Sequence, residues 1–268
     1  MNRLPAALLL TLLAAGAFLL ARSWPWLQPA GGGMRPLMVY CTASLKRPVE
    51  MAALQYRAET GVEVQLQYGG TATLLSAIRA AKRGDVFLAA DSLGIKDARK
   101  YGLLGEVIPM VRQRPVLAVV RGNPKGLCVL SDLRREGVRL ALANPETAAI
   151  GRVTRALLGA EYPPLASHAT VTKPTVNDIA TDLTLGAVDA ALVWDSTVAQ
   201  FPKLEAVLLA PLSFHAEEAS AAVLSGSGNL EEALRFIRFL AMPEKGGLVF
   251  QKMGFHPVGA PSGLHAPQ

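Results

Sequence analysis

The sequence predicts an α/β protein of two lobes, because short apolar strands alternate with helical segments in two successive rounds. A strand near residue 118 leaves the first round, and a strand near residue 208 returns to it. We therefore expect each lobe to hold a mainly parallel sheet flanked by helices, with the two crossover strands forming a hinge. Open sheets of this kind bind ligands at the carboxyl ends of their strands, so the pattern indicates a cleft between the lobes.

The first round covers residues 37–120. Strands are predicted at 37–40, 62–66, 85–89 and 116–120, and helices at 48–59, 72–82 and 91–101. Pro48 suits the first turn of its helix, where a missing N–H group costs nothing, and Gly61 ends that helix. Gly122-Asn123-Pro124 ends the strand that carries the chain onward.

The second round and the return to the first lobe follow the same reasoning. Strands are predicted at 139–143, 190–194, 207–209 and 221–224, and helices at 130–136, 151–158, 175–185, 195–200, 230–241 and 244–252. The predicted domains are lobe 1 at 35–118 plus 209–258, lobe 2 at 119–208, and a flexible tail at 259–268.

The N-terminus predicts export. After Arg3, residues 4–21 are apolar or small apart from Thr11, and Arg22 ends the run. Residues 1–22 therefore form a secretory signal peptide or a retained membrane anchor, and both place the remaining chain outside the cytoplasmic membrane. No cysteine stands at or directly after the end of the run, so we exclude lipid attachment at a processed cysteine. Residues 23–34, rich in Pro and Gly, are expected to form a linker.

Composition narrows the function further. With 268 residues, 51% of them hydrophobic and 18% charged, the chain is long and apolar enough for a substantial core. The net charge of +6 suits an anionic partner, but no basic run is interleaved with aromatics, so nucleic acid is not expected. Cys41 and Cys128 have no metal-ligand spacing. Exported cysteines can pair, but these lie far apart in the predicted fold, and we expect free thiols.

Four predicted strand-to-helix turns carry small or hydroxylated residues, which favours an anion site. They are 42–44 (Thr-Ala-Ser), 69–71 (Gly-Gly-Thr), 148–151 (Ala-Ala-Ile-Gly) and 174–177 (Pro-Thr-Val-Asn). Helix N-termini present unpaired N–H groups and a partial positive charge, hydroxyls add neutral donors, and Gly permits close approach. The alternative for any single turn is ordinary helix capping.

Several segments together resemble the periplasmic molybdate-binding proteins of ABC importers, which are type II periplasmic solute-binding proteins. The segments are Val-Tyr-Cys-Thr-Ala-Ser-Leu at 39–45, Tyr-Gly-Gly-Thr-Ala-Thr-Leu at 68–74, Gly-Asp-Val-Phe-Leu-Ala-Ala-Asp at 84–91, Ala-Asn-Pro-Glu-Thr-Ala-Ala-Ile-Gly at 143–151 and Val-Asp-Ala-Ala-Leu-Val-Trp at 188–194. The closing helices at 236–255 are also similar. The resemblance covers residues 37–256 and depends on the order and spacing of these segments.

This resemblance implies an oxyanion site at five positions. The hydroxyl and N–H groups of Ser44 and Thr71 and the backbone N–H groups of Ile150 and Val176 would contact the oxygens of molybdate, with no direct ligand to the metal. The family's last contact is a Tyr hydroxyl, and Trp194 stands there, whose indole N–H can only donate. Because of such departures, tungstate or another tetrahedral oxyanion is also a candidate.

We expect an extracytoplasmic, monomeric solute-binding protein that captures molybdate or tungstate for the permease of an ABC importer and needs no cofactor. The alternative is a membrane-anchored sensor or binding domain of the same fold for another small anion, held by an N-terminal tether. His168, His215, His256 and His265 have no partnered nucleophile or metal motif, so an enzyme is not expected. We expect His168 and His215 to be exposed. The resemblance implies that Asp85, Asp91 and Asp195 cap helices, and the alternative is that a carboxylate near the cleft repels a dianion or holds a contact between the lobes.

Overall fold

The computed structural model describes residues 35–259. The predicted leader at 1–22, the linker at 23–34 and the tail after residue 259 lie outside these residues. Residues 36–259 belong to one compact unit. No helix within residues 35–259 combines the length and the apolar character that crossing a bilayer requires.

Two sheets organise this unit, and we call each sheet with the helices packed on it a lobe. The sheet of lobe 1 has the strand order β11-β4-β10-β3-β1-β2, with β1 Leu37–Thr42, β2 Val64–Gly69, β3 Val86–Ala89, β4 Leu104–Gln113, β10 Glu217–Leu224 and β11 His256–Pro257. The sheet of lobe 2 has the order β7-β6-β8-β5-β9, with β5 Pro115–Val120, β6 Leu140–Ala143, β7 Val171–Lys173, β8 Ala190–Trp194 and β9 Leu204–Val207.

Helices cover the faces of both sheets. Lobe 1 carries α1 Lys46–Thr60, α2 Thr71–Ala81, α3 Ser92–Lys100, α9 Leu230–Ala241 and α10 Gly246–Lys252. Lobe 2 carries α4 Ala149–Leu158, α5 Tyr162–His168, α6 Val176–Thr184, α7 Asp195–Ala199 and α8 Ala210–Ser213, with short 3-10 turns at Leu130–Arg134 and Gly159–Glu161. Buried apolar side chains fill both faces of each sheet, as the apolar composition predicted.

The two-lobed α/β fold is confirmed, but the sheets are mixed rather than mainly parallel. Strand β1 is parallel to β2 and β3, and β6 is parallel to β7 and β8. Strand β10 runs antiparallel to β3 and β4, and β5 runs antiparallel to β8 and β9. Strands β4, β5, β9 and β10 flank the two crossings between the lobes. A parallel pair needs a crossover connection, usually a helix, between its two strands, and these strands instead pair in antiparallel fashion.

The chain crosses between the lobes twice. Strand β4 ends at Gln113 in lobe 1 and β5 begins at Pro115 in lobe 2, so Arg114 alone joins them. The return follows β9 and passes through α8, whose flanking Leu209 and own Leu212 are buried in the core of lobe 2. The boundary expected after residue 118 falls inside β5, and the one expected after residue 208 falls before α8, although both elements belong to lobe 2. Apolar patterns do not indicate which sheet a strand joins.

Candidate functional site

Four helix starts meet around one small cavity between the lobes. In lobe 1, a 3-10 turn at Ala43–Leu45 joins β1 to α1, and Gly70 joins β2 to α2. In lobe 2, α4 and α6 begin at the same cavity. All five predicted site residues line it, namely Ser44, Thr71, Ile150, Val176 and Trp194. Residues far apart in sequence are therefore brought together at the carboxyl ends of strands from both sheets.

The cavity is small and uncharged. Its volume is about 20 Å³, slightly more than the roughly 10–15 Å³ that one water molecule requires. The lining residues include no Lys, Arg, Asp or Glu. A solute here meets only neutral hydroxyls, backbone groups and apolar surface, so a small ion with many acceptor oxygens fits it better than an extended organic molecule.

Three hydroxyls at this cavity are buried without a partner. Within residues 35–259, Ser44 Oγ and Thr71 Oγ1 form no hydrogen bond, and neither does Thr42 Oγ1, which also lines the cavity. A buried polar group without a hydrogen bond costs roughly 1–3 kcal/mol, so three together call for a functional explanation. Thr42 was not predicted as a contact, although its position in the same hydroxylated turn could have indicated it.

Helix capping explains only one of the four turns. The N-cap residues Thr42, Gly70 and Ala148 make no side-chain capping hydrogen bond. Thr175 does cap its own helix, since its Oγ1 accepts from the Asp178 N–H at 3.3 Å. First-turn N–H groups have no intrahelical partner, and at the other three starts no side chain caps them.

Trp194 serves two structural roles. It is the last residue of β8, is 1% exposed, and packs in the apolar core of lobe 2. It also lines the cavity. Trp194 therefore packs in the core of lobe 2 and also borders the cavity, so the two alternatives that the sequence left open do not exclude each other.

The lobes are closed over this cavity by direct contacts. Asn177 Nδ2 of lobe 2 donates to the Ala43 carbonyl of lobe 1 at 2.8 Å, and the Ala72 N–H donates to the Thr147 carbonyl at 3.4 Å. A Cβ atom added at Gly70 would lie 2.5 Å from that same Thr147 oxygen. The glycine thus permits a backbone approach that any side chain would obstruct.

An ion pair spans the cleft next to these contacts. Arg152 Nη2 on α4 donates to both carboxylate oxygens of Asp91 at 2.9 and 2.8 Å, and its Nη1 lies 3.2 Å from Asp97. Asp91 is fully buried and also caps α3 by accepting from the Gly94 N–H at 3.1 Å. Burial raises the pKa of Asp91, and the Arg152 charge opposes that shift. Asp91 therefore combines the capping and lobe-joining roles that the sequence offered as alternatives.

Two histidine–carboxylate pairs lie at the lobe crossings. His256 Nε2 is 2.8 Å from Asp195, whose other carboxylate oxygen accepts from the Arg114 N–H at 2.9 Å. His215 Nε2 is 2.8 Å from Glu217. The expectation that His168 and His215 are exposed is wrong, because both are partly buried, and His215 is paired with Glu217 just before β10.

The buried Glu217 carboxylate is stabilised in its charged form. Burial alone would raise the pKa of Glu217, but hydrogen bonds from His215 and from the Ser92 N–H outweigh it, so the pKa is lowered from its ordinary 4.5. The two cysteines do not pair with each other: Cys41 is buried, Cys128 is exposed, and both are free. No cluster of three or more His, Cys, Asp or Glu within residues 35–259 could hold a metal ion.

Two α/β lobes closed over a small polar cavity at their strand ends define a two-lobed binding protein. Comparison with known sequences makes this specific: the chain belongs to the bacterial extracellular solute-binding protein family, which it matches over residues 37–256. The resemblance inferred from the sequence motifs is thereby confirmed.

Individual relatives agree with this assignment. The molybdate-binding protein ModA of Mycobacterium tuberculosis is 28% identical over 200 residues, covering 72% of this chain and 74% of ModA. The periplasmic molybdate-binding protein of Azotobacter vinelandii superposes with a TM-score of 0.67 at 18% identity, covering 82% of this chain and 98% of that one. The sulfate-binding protein SubI of M. tuberculosis superposes with a TM-score of 0.76 at 16% identity, covering 85% and 88% of the two chains. At these identities the structural matches establish the fold alone.

Proposed function

We propose that this protein captures a tetrahedral oxyanion, molybdate or tungstate, outside the cytoplasmic membrane and delivers it to the permease of an ABC importer. The observation that carries the proposal is the pair of unpartnered, buried hydroxyls of Ser44 and Thr71 in a cavity without charged side chains. Membership of a solute-binding family supports a binding role for this cavity.

The energetics of such a site are adequate. Hydrogen bonds to a charged group contribute roughly 1.5–3 kcal/mol each. We count on about six or seven donors from the hydroxyls and helix starts, set against association costs of roughly 4–15 kcal/mol. The balance reaches sub-micromolar affinity, which suits a scavenging receptor.

The donor-rich lining also selects among oxyanions. Molybdate, tungstate and sulfate are fully ionised at neutral pH and accept hydrogen bonds at every oxygen. Phosphate carries at least one proton and needs an acceptor for it, and no carboxylate lines the cavity. Relatives named for molybdate support the larger ions, and the Trp194 indole is a donor that matches any of the three.

Delivery to a permease rests on membership of the family and on lobe closure. The contacts between Asn177 and Ala43 and between Arg152 and Asp91 exist only when the lobes are together. A permease that recognises the closed surface would therefore distinguish the loaded receptor from the open one. The apolar run at 4–21 supports a location outside the membrane, by secretion or by tethering.

A second candidate is a tethered sensor or binding domain of the same fold for sulfate. The similarity to SubI favours sulfate as the other anion to test. A sensor and an importer subunit would share the site and differ in their partner. Pull-down of a membrane permease by the anion-loaded protein would support the importer, and capture of a signalling protein would support the sensor.

The test of ligand identity is calorimetric titration of the protein from residue 35 onward, which contains the compact unit, with molybdate, tungstate, sulfate and phosphate in turn. We expect one saturable site for molybdate and tungstate, weaker binding of sulfate and none of phosphate. A Trp194→Phe variant, which loses the indole donor but keeps an aromatic ring, should bind more weakly. Absence of saturable binding by all four anions would refute the proposal.

A further inference from the structure

Lobe 1 carries a second, basic depression at the end of its sheet opposite the cleft. This basal groove has a volume of about 340 Å³ and lies between the end of α2, the residues after α3 and the end of β10. Its lining includes Arg79, Lys82, Arg83, Tyr101, Leu103 and Leu224. No acidic residue lines it, so it presents one sign of charge above an apolar floor.

The three cations are exposed and free of ion pairs. Within residues 35–259, Arg79, Lys82 and Arg83 form no salt bridge, whereas the arginines of α4 and α9 all do: Arg152, Arg155, Arg235 and Arg238. The Arg79 guanidinium carbon lies 4.1 Å from the ring centre of Tyr101, which is 52% exposed. The carboxylate next in sequence, Asp85, is buried and accepts from the Met38 N–H and the Ser227 hydroxyl.

Helix capping does not account for this arrangement. Basic residues in the last turn of a helix offset the negative end of its dipole, which explains Arg79 on α2. Arg83 lies beyond the end of that helix, and Tyr101 and Leu103 come from a different part of the chain. Three elements thus contribute cations, an aromatic ring and apolar side chains to one groove.

The position of the groove relative to the start of the lobe indicates what it faces. Gly84, in the groove, lies just before β3, and the Asp85 N–H donates to the Met38 carbonyl at 2.8 Å. Met38 is near the start of β1 and packs on the same apolar cluster as Ile78 and Leu224 of the groove. The described part of the chain therefore begins beside the groove, and the apolar run at 4–21 precedes it in the sequence.

We propose that the basal groove is a docking surface for anionic phospholipid at the outer face of the membrane. Arg79, Lys82 and Arg83 contact the phosphate groups, while Tyr101 and the apolar floor lie at the level of the headgroups. The six residues of β1 separate the groove from Ser44 by roughly 20 Å. The cleft therefore stays open to solute while the base of lobe 1 rests on the bilayer.

The test is flotation of residues 35–268 with vesicles at low ionic strength, so that the apolar leader does not contribute. One vesicle is pure phosphatidylcholine and the other contains equal parts of phosphatidylcholine and phosphatidylglycerol. We expect binding to the second vesicle only, reduced by added salt. Each Lys or Arg near an anionic surface strengthens binding by roughly fivefold, so the triple variant R79Q/K82Q/R83Q should bind on the order of a hundredfold more weakly.

The matched control is K125Q/K203Q/K252Q, which removes three exposed lysines outside the groove and has the same net charge. It should float as the unmodified protein does, and both variants should keep their oxyanion affinity and thermal stability. Equal losses in the two variants would show an effect of net charge alone and overturn the proposal. Failure of the unmodified protein to float, or its displacement by inorganic phosphate at matched ionic strength, would also overturn it.

Discussion

Arg152 and Asp91 form an ion pair across the cleft, with Nη2 of the arginine 2.9 and 2.8 Å from the two carboxylate oxygens. The aspartate belongs to lobe 1 and is fully buried, and the arginine side chain is 13% exposed. Opening of the lobes separates these charges. The pair therefore links the closed state to the residues next to the cavity, since Arg152 directly follows the α4 start at Ala149–Gly151.

Loss of either partner should weaken oxyanion binding. Arg152→Gln leaves a buried carboxylate unpaired in the closed state, which costs about 2 kcal/mol or more and acts on the dissociation rate. Asp91→Asn keeps the cap of α3, because Asn also caps helices. Stopped-flow dissociation should be faster in each variant and nearly the same in the exposed Arg155→Gln control. In the double variant the losses should fall short of the sum of the single ones. Strict additivity would contradict a direct coupling.

Gly70→Ala should block closure without harming the fold. The backbone φ of Gly70 is −72°, which any residue adopts, so alanine introduces no local strain. Its Cβ, however, would lie 2.5 Å from the Thr147 oxygen and 3.2 Å from the Pro174 oxygen of lobe 2. We expect unchanged thermal stability, at least tenfold weaker molybdate binding, and no compaction on adding ligand in small-angle scattering. Gly105→Ala, whose Cβ would have ample space, is the control.

Removal of the unpartnered hydroxyls should weaken oxyanion binding and leave the stability of the ligand-free protein unchanged. Ser44→Ala and Thr71→Val should each weaken oxyanion affinity by about 1–3 kcal/mol. Neither should destabilise the ligand-free protein, because no hydrogen bond within residues 35–259 is lost. The control is Ser213→Ala, which removes the bond to the Leu209 carbonyl at 2.8 Å and should lower stability while affinity stays the same. Calorimetry and urea unfolding measure the two effects, and near-normal binding by the Ser44 and Thr71 double variant would contradict the site.

Glu217 should make stability depend on acid pH. Because its folded pKa lies below the ordinary 4.5, the ionised carboxylate stabilises the fold above that pH. This contribution disappears as the pH falls through the lower folded pKa. Glu217→Gln should therefore reduce the free energy of unfolding at neutral pH, and the difference from the unmodified protein should shrink on acidification. Urea unfolding across this range measures it, with the neighbouring Glu218→Gln as control. A difference that does not change with pH would count against the pairing.

The sequence predicted those parts of the fold that depend on local patterns. The helix predicted at 230–241 coincides with α9 (Leu230–Ala241), because apolar residues at helical spacing define both of its ends. The small and hydroxylated turns before α1, α2, α4 and α6 were also identified from local sequence, because each lies between a strand pattern and a helix pattern. Their convergence on one cavity was predicted through the fold class, since parallel strands of each lobe end at one edge.

Other features could not be predicted because they depend on contacts between distant segments. Strand β4 was missed: Pro109 lacks an N–H donor, and it lies where the pairing with β10 shifts register. Strand β7 has only three residues, too few for a visible alternation. The pairs Arg152–Asp91 and His256–Asp195 join residues 61 positions apart in each case, and no spacing rule connects them.

The most direct test of the oxyanion site is anomalous diffraction from crystals of residues 35–268 grown with tungstate. The account predicts one strong tungsten peak between the lobes, with oxygens within hydrogen-bonding distance of Ser44 Oγ and Thr71 Oγ1 and of the N–H groups of Ile150 and Val176. A tungsten peak elsewhere on the protein, or closed lobes with no tungsten between them at saturating concentration, would contradict it.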